Sequence, residues 1–305
     1  MTPAEEAQRP RFSVVVPAFE AEATLAETLD ALLAQTYRGW ECVVVDDGST
    51  DATLSIASAY AERDYRIRAV HQGNQGTAGA YNTGVSSVIG DFIVICSADD
   101  ILLPEHLERM STFIEAETGY DIYSTNGYFW VPGESRVLCY GAGLGDMVHS
   151  LPLGEVIRRC FYSVGAVYRR SLFVTVGGYR LGVYGEDYDF WLRAMALGAR
   201  HRYLPEPLSL HRISAEQKSA QLDTVFRSDI RLVSDLRREF TLSAADSLAV
   251  DESIRERERL IAQLSQPSRV VRRVAAQIVV RVLGRRRAGR LYSVLTAAVG
   301  RLVQR

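Results

Sequence analysis

Three apolar runs that each end in acidic residues constrain this chain more than any other feature. Val14-Val15-Val16 leads through Pro17, Ala18 and Phe19 to Glu20, and Cys42-Val43-Val44-Val45 ends on Asp46 and Asp47. Residues 92–96 (Phe-Ile-Val-Ile-Cys) run through Ser97 and Ala98 into Asp99 and Asp100. Continuous apolar runs, rather than alternating ones, predict strands covered on both faces, as in a parallel sheet. Between them, Leu25, Leu29, Leu32 and Leu33 recur at helical spacing over 24–35. A second helix is predicted over 51–62, with Ser49 or Thr50 as its N-cap. A third strand at 67–70 and a helix over 77–88 complete an α/β pattern of a mostly parallel sheet flanked by helices. Residues 121–131 and 136–140 predict antiparallel additions around Pro132-Gly133, followed by a strand at 164–168 and a helix over 187–197. From residue 214 onward the pattern is helical.

In an open parallel sheet, ligands bind beyond the carboxyl ends of the strands. That rule selects Pro17 and Glu20, Asp46 and Asp47, residues 71–77, and Asp99 with Asp100. Adjacent carboxylates at the mouth of a buried strand repel each other unless a positive group joins them. A rim of acids also repels a nucleotide phosphate unless a divalent cation lies between. Mg2+ and Mn2+ accept carboxylate oxygens while keeping positions for phosphate oxygens. The glycines at 73, 76 and 79 do not form G-x-G-x-x-G, and the chain has no G-x-x-x-x-G-K-[ST], so the dinucleotide and P-loop readings lose their signal. Asn74-Gln75-Gly76-Thr77 reads either as backbone N–H groups offered to a ligand at a helix start or as a turn with an N-cap. Arg212 reads either as a partner for a diphosphate or as a surface arginine at a strand end. His71, His106 and His201 lie at no metal-ligand spacing and are expected to be structural or on the surface.

Six segments in order then resemble a family 2 glycosyltransferase with the A-type nucleotide-sugar-binding fold. They are Val-Val-Val-Pro-Ala-Phe-Glu (14–20), Val-Val-Val-Asp-Asp-Gly-Ser-Thr-Asp (43–51) and Asn-Gln-Gly-Thr-Ala-Gly-Ala-Tyr-Asn-Thr-Gly (74–84). The others are Ala-Asp-Asp-Ile-Leu-Leu-Pro (98–104), Tyr-Arg-Arg-Ser-Leu-Phe (168–173) with Gly-Gly-Tyr (177–179), and Gly-Glu-Asp-Tyr-Asp-Phe-Trp-Leu-Arg (185–193). The resemblance implies a nucleoside pocket lined by Pro17, Phe19 and Glu20, with Asp47 accepting a hydrogen bond from the base. It implies Asn74, Gly76 and Thr77 on the nucleotide-sugar side and Asp99 toward the ribose. Asp100 would hold the Mn2+ or Mg2+ ion that bridges the diphosphate, with Asp99 beside it. Asp187 would be the general base for an acceptor hydroxyl, assisted by Glu186. Three positions depart from the family pattern. Ser97 stands where an acid is common, Tyr81 where an arginine is common, and the late Tyr-Arg-x-His element reads His211-Arg212-Ile213-Ser214. Tyr128 and Trp130 are candidates for an acceptor sugar ring, whereas Phe190 and Trp191 read as core.

The implied partners are a UDP-, GDP- or dTDP-linked sugar and a saccharide, lipid-linked or protein acceptor. The expected organisation is a tail at 1–11, a catalytic region at 12–212 divided near 103 into donor and acceptor halves, and a helical extension at 213–305. A net charge of −2 gives no global attraction to nucleic acid, and none is expected as a partner. The charge is uneven, with ten arginines and no Asp or Glu between Arg269 and Arg305. Within that segment the arginines lie opposite an apolar helical stripe. The pattern fits an anionic membrane surface or a helix packed on its own domain. Four cysteines without C-x-x-C spacing read as reduced thiols. With neither an apolar leader nor an apolar run of about 18 residues, the expected place is the cytoplasm, with the inner face of the cell membrane as the site of any surface contact. Two rival readings are a non-catalytic nucleotide-sugar-binding protein on the same fold and a nucleotidyltransferase. The second usually needs a basic Gly-rich loop after the first strand, and residues 16–20 carry no base.

Overall fold

The computed structural model describes residues 10–130, 136–138, 150–158, 164–213 and 221–264. Cys139, Cys160, Ser214, the Pro132-Gly133 turn and the arginine-rich 269–305 segment lie outside these residues.

The first four strands, β1 (Phe12–Ala18), β2 (Trp40–Asp46), β3 (Ile67–His71) and β4 (Phe92–Ile95), pair in parallel in the order β3-β2-β1-β4. Their side chains divide between two cores because successive residues point to opposite faces. Val14, Val16, Cys42 and Val44 face Leu25, Leu29 and Leu32 of α1 (Leu25–Leu33). Val15, Val43, Val45 and Ile93 face α3 (Gly76–Ser86) and the helices beyond it. That double burial is why the runs are continuous. The α3 helix lies very close to the sheet, since a Cβ at Gly84 would fall 2.4 Å from Val15 Cγ1.

Helix α2 (Thr53–Arg63) corrects the expected cap. Its N-cap position is Ala52, and the Asp51 carboxylate accepts from Thr53 N–H at 2.9 Å. Ser49 and Thr50 are engaged with Glu20 instead: Ser49 Oγ accepts from the Glu20 N–H at 3.0 Å, and Thr50 donates N–H to the Glu20 carboxylate at 2.8 Å. Those two residues sit at the sheet rim, where bonding to Glu20 ties the β1 end to the β2 end.

Beyond β4 the sheet becomes mixed. β5 (Ile101–Leu102), β6 (Ile122–Trp130), β7 (Val137–Leu138), β8 (Val167–Arg169) and β9 (His201–Arg212) extend it in the order β4-β8-β6-β9-β5, with β7 on β6. The β4–β8, β6–β8, β6–β7 and β5–β9 pairs are antiparallel, and β6–β9 is parallel. The β6–β9 register shifts where Pro205 and Pro207 enter β9, because proline has no N–H to give the ladder. Helices α4 (His106–Ala116), α5 (Leu153–Arg158), α6 (Arg170–Val176) and α7 (Glu186–Ala196) cover the sheet. Two long helices follow, α8 (Leu222–Glu239) and α9 (Ala244–Leu264). Leu232, Val233, Leu236, Ala249 and Val250 from these two helices share one core with Phe190 and Trp191 of α7. No helix among the described residues is long and apolar enough to cross a membrane.

Candidate active site

The carboxyl ends of β1 to β4 bring together the acids selected by position. Ala18, Asp46 and His71 are register partners in turn, so Phe19, Glu20, Asp47 and Gln72 follow them along one edge. Phe19 is half-exposed there (52%), as a side chain offering a ring to a ligand must be. Glu20 has φ +49°, a left-handed conformation that its bonds to Ser49 and Thr50 support.

Asp47 is buried, and its Oδ1 accepts from Gln72 Nε2 at 2.7 Å and from the Gln75 backbone N–H at 2.9 Å. Those two bonds fix the rotation of the carboxylate. Thr83 of α3 donates to Gln72 Oε1, so the helix supports the whole arrangement. Beside it, buried Asp46 lies 2.7 Å from His71 Nδ1. Asn74 Oδ1 accepts from the Gly76 N–H at 3.2 Å, closing the turn that starts α3. Gly76 has φ +75°, and Thr77 begins the first turn beyond it.

The Asp99-Asp100 turn is built by strand register. Ile101 pairs with Leu210 and Leu102 with Ser209 in an antiparallel ladder. One and two steps further, the ladder brings Asp100 opposite His211 and Asp99 opposite Arg212. The contacts follow. Asp100 Oδ1 accepts from the Arg212 backbone N–H at 3.0 Å and lies 3.2 Å from His211 Nδ1. Arg212 Nε donates to the Asp99 carbonyl at 2.9 Å. The same guanidinium pairs with Glu27 of α1 and lies 4.5 Å from the Trp130 ring centre. Thr28 Oγ1 donates to the Asp100 carbonyl at 2.9 Å. Arg212 thus holds the acidic turn from the side of β9. Trp130 is engaged with that arginine, and Phe129 packs edge-on against His211 at 5.7 Å.

His211 links the two acidic groups. Burial alone would lower its pKa, but Asp100, Asp99 and Asp187 together raise it. Asp187 belongs to the first turn of α7, which starts after Gly185 at φ +80°. Asp187 is exposed to solvent at the start of that helix, and partial desolvation by the surrounding chain pushes its carboxyl upward. The Tyr188 N–H, 2.7 Å from Asp187 Oδ1, and His211 oppose the rise. Glu186 is half-buried one residue earlier.

The departures at positions 81 and 97 prove to be neighbours. The Tyr81 hydroxyl interacts with that of Ser97, and its phenol also feels Glu186, Asp187 and Asp100. Burial first, then those carboxylates, pushes the phenol well above its ordinary pKa, so it remains a neutral hydroxyl. His211, Glu27 and Tyr81 escaped the rim rule because none follows a parallel strand, and Gln72 fell within the selected 71–77 without a role of its own. The signal available for His211 was its place on a strand next to two prospective cation ligands.

A hard divalent cation fits the donor chemistry. Among the described residues no three His, Cys, Asp or Glu side chains form a closed cage. Asp100, with Asp99 beside it, offers carboxylate oxygens, the donor type such an ion takes.

The model for Glycosyl transferase family 2 matches residues 13–173. EpsE of Bacillus subtilis (strain 168) is 33% identical over 208 residues, which cover 65% of this chain and 72% of that protein. S. aureus TarS residues 1–349 in complex with UDP-GlcNAc aligns with a TM-score of 0.68 at 18% identity, covering 96% of this chain and 88% of those 349 residues. The mannosyltransferase PcManGT from Pyrobaculum calidifontis, in complex with GDP-Man and Mn2+, aligns with a TM-score of 0.63 at 18% identity, covering 95% and 85%. At such identities the two structures show a shared fold.

Proposed function

The chain belongs to glycosyl transferase family 2, and from that premise we propose that it inverts the anomeric carbon while moving a sugar from a nucleoside diphosphate to an acceptor hydroxyl. The observation that carries this reading is the Asp99-Asp100 turn, fixed at the ligand edge of the parallel sheet by Arg212, whose backbone N–H donates to Asp100 Oδ1 at 3.0 Å. Phe19, Glu20, Pro17 and the fixed Asp47 carboxylate bind the nucleoside. Asn74, Gly76 and Thr77 bound the sugar-diphosphate side, with Arg212 holding the turn beneath it. Asp187 accepts the acceptor hydroxyl proton as the oxygen attacks C1, and the bond from C1 to the β-phosphate oxygen breaks. Glu186 assists at the acceptor side.

Mn2+ or Mg2+ would be held by Asp100 and Asp99, and when bound it supplies Lewis-acid stabilisation of the departing diphosphate. We place the activity in the synthesis of a cell-envelope polysaccharide, glycolipid or glycoconjugate, on the cytoplasmic side. The basic 269–305 segment supports contact with an anionic membrane there, and loss of liposome co-sedimentation on its removal is the expected result.

The test starts with a thermal-shift screen of UDP, GDP and dTDP and their sugars with Mn2+. In Asp187→Asn, donor binding persists and transfer falls by about 10²- to 10⁴-fold. Transfer at the wild-type rate would sink the base assignment. Asp100→Ala should abolish Mn2+-dependent nucleoside diphosphate binding in calorimetry, and equal affinity would remove its assigned role.

A further inference from the structure

The loop that launches α7 is unusually free by sequence and unusually held in space. Residues 177–185 contain Gly177, Gly178, Gly182 and Gly185, all with positive φ between 71° and 80°. Glycines in such numbers leave a chain with many alternatives to its folded path. Yet Asp187 stands two residues after this loop, and a base is useful only where its oxygen meets the acceptor proton.

Two side chains hold the loop. Arg193, buried on α7, donates to the carbonyls of Val176 at 2.6 Å and Gly178 at 2.8 Å and is itself fixed by Asp189 at 2.9 Å. That clamp ties the loop to its own helix. Asn82 ties it to the other half of the molecule. Its Nδ2 donates to the Tyr179 carbonyl at 2.8 Å, and its Oδ1 accepts from the Tyr179 N–H at 2.8 Å, across 97 residues of sequence. A Cβ at Gly178 would lie 2.9 Å from Asn82 Oδ1, so the loop is pressed against the amide.

The ring of Tyr179 repeats the connection. It stacks on Tyr81 at 4.8 Å and 29°, and on Phe190 at 4.5 Å and 20°. Three stacked rings therefore run from α3 through the loop to α7, with Phe190 three residues after the base. The Tyr81 hydroxyl at one end interacts with Ser97, which leads into Asp99 and Asp100.

We propose that Asn82, together with the ring of Tyr81, is the positioning element that sets Asp187 relative to the nucleotide-diphosphate side of the site. The proposal rests on the reading of Asp187 as the base. Neighbouring residues of α3 span the reacting gap: one touches the acidic turn through its hydroxyl, and the other grips the loop before the base. Loosening the grip lets α7 move while the nucleoside pocket, built on β1 to β3, stays formed.

The experiment uses the full chain with Asn82→Ala and Asn82→Asp, and Asp187→Asn in parallel. The aspartate keeps an acceptor for the Tyr179 N–H and loses the donor to its carbonyl. For Asn82→Ala, kcat falls by about 10²-fold, the loss that a misplacement near 1 Å brings. Affinity for whichever of UDP, GDP or dTDP the wild type binds with Mn2+ stays within about threefold in calorimetry, since the amide touches no part of that pocket. The near-ultraviolet circular dichroism of buried Trp191 and Tyr179 changes, and Asn82→Asp lies between alanine and wild type in both readouts. A parallel loss of kcat and diphosphate binding, in step with the fraction folded, would make Asn82 a stability residue only and overturn the proposal. If Asn82→Ala does not fold, the same split in Asn82→Asp decides. Wild-type kcat in the Asn82 variants beside an inactive Asp187→Asn overturns the latch alone, whereas surviving transfer in Asp187→Asn overturns the base reading itself.

Discussion

His106 and His201 are fully buried, and both make stability sensitive to acid. His106 faces the carbonyls of Leu208 and Gly165 at 3.1 and 3.0 Å, but desolvation dominates and pulls its pKa down to about 4. His201, which accepts from the Leu151 N–H and bonds to Ser124 at 2.7 Å, falls to about 3 for the same reason. In the unfolded chain both would titrate near 6.5. Between that pH and about 4 the unfolded state binds more protons, so stability declines as pH falls. Each histidine accounts for about 2 kcal/mol between pH 7.5 and pH 5. Urea unfolding across that range should show the decline, and His201→Gln should flatten roughly half of it. A second residue-scale prediction concerns Gln72, which holds both Asp47 and Thr83. Gln72→Ala should weaken nucleoside diphosphate binding about tenfold, the worth of one buried hydrogen bond, with little change in kcat. The rim acids were legible because each follows a buried apolar run. Gln72, within the selected 71–77, and His211, within the late motif, were legible as positions but not as partners, since their meaning lies in which acid they touch across the fold.

Helix α3 has the small residues that close approach to a sheet demands, and Gly84 is the tightest point. A methyl there would meet Val15 Cγ1 at 2.4 Å and Val45 Cγ2 at 3.3 Å, both on packed strands with nowhere to move. Gly84→Ala should therefore destabilise the protein by about 1–3 kcal/mol through overpacking, read as a lower urea midpoint at unchanged slope. Elements of this kind divided clearly in legibility. The four parallel strands and α1 announced themselves because each carries its own periodic apolar pattern. β8 was expected at 164–168 and lies at Val167–Arg169, whereas β5 gave no signal, being two residues long and defined by a partner more than 100 residues away. The α2 cap was misread for a related reason. Ser49 and Thr50 have the chemistry of a cap, but Glu20 from the neighbouring strand end competes for them.

At the scale of the molecule, α8 and α9 are joined to each other and to α5 by more than apolar contact. Arg257 of α9 is buried, donates to Asp229 of α8 at 2.8 Å, and also reaches the Arg158 carbonyl. Burial raises the Asp229 pKa, Arg257 lowers it, and Asp187 raises it again. Arg257→Met should leave an uncompensated buried carboxylate and cost about 3–5 kcal/mol, whereas the double variant Asp229→Leu/Arg257→Met should recover most of that loss. Thermal unfolding of the four proteins in this cycle measures the coupling. Such contacts were invisible in the sequence, where residues 213–305 read as a helical extension with its own charge pattern.

The bond between the Arg212 N–H and Asp100 crosses 112 residues of chain. During synthesis, at about 5–20 residues per second, the acidic turn therefore emerges roughly 6–22 s before the strand that steadies it. A nascent chain carrying all the nucleoside-pocket residues would have no finished seat for a diphosphate during that interval. On the proposed assignment, competence to hold a diphosphate arrives only when β9 docks, late in synthesis.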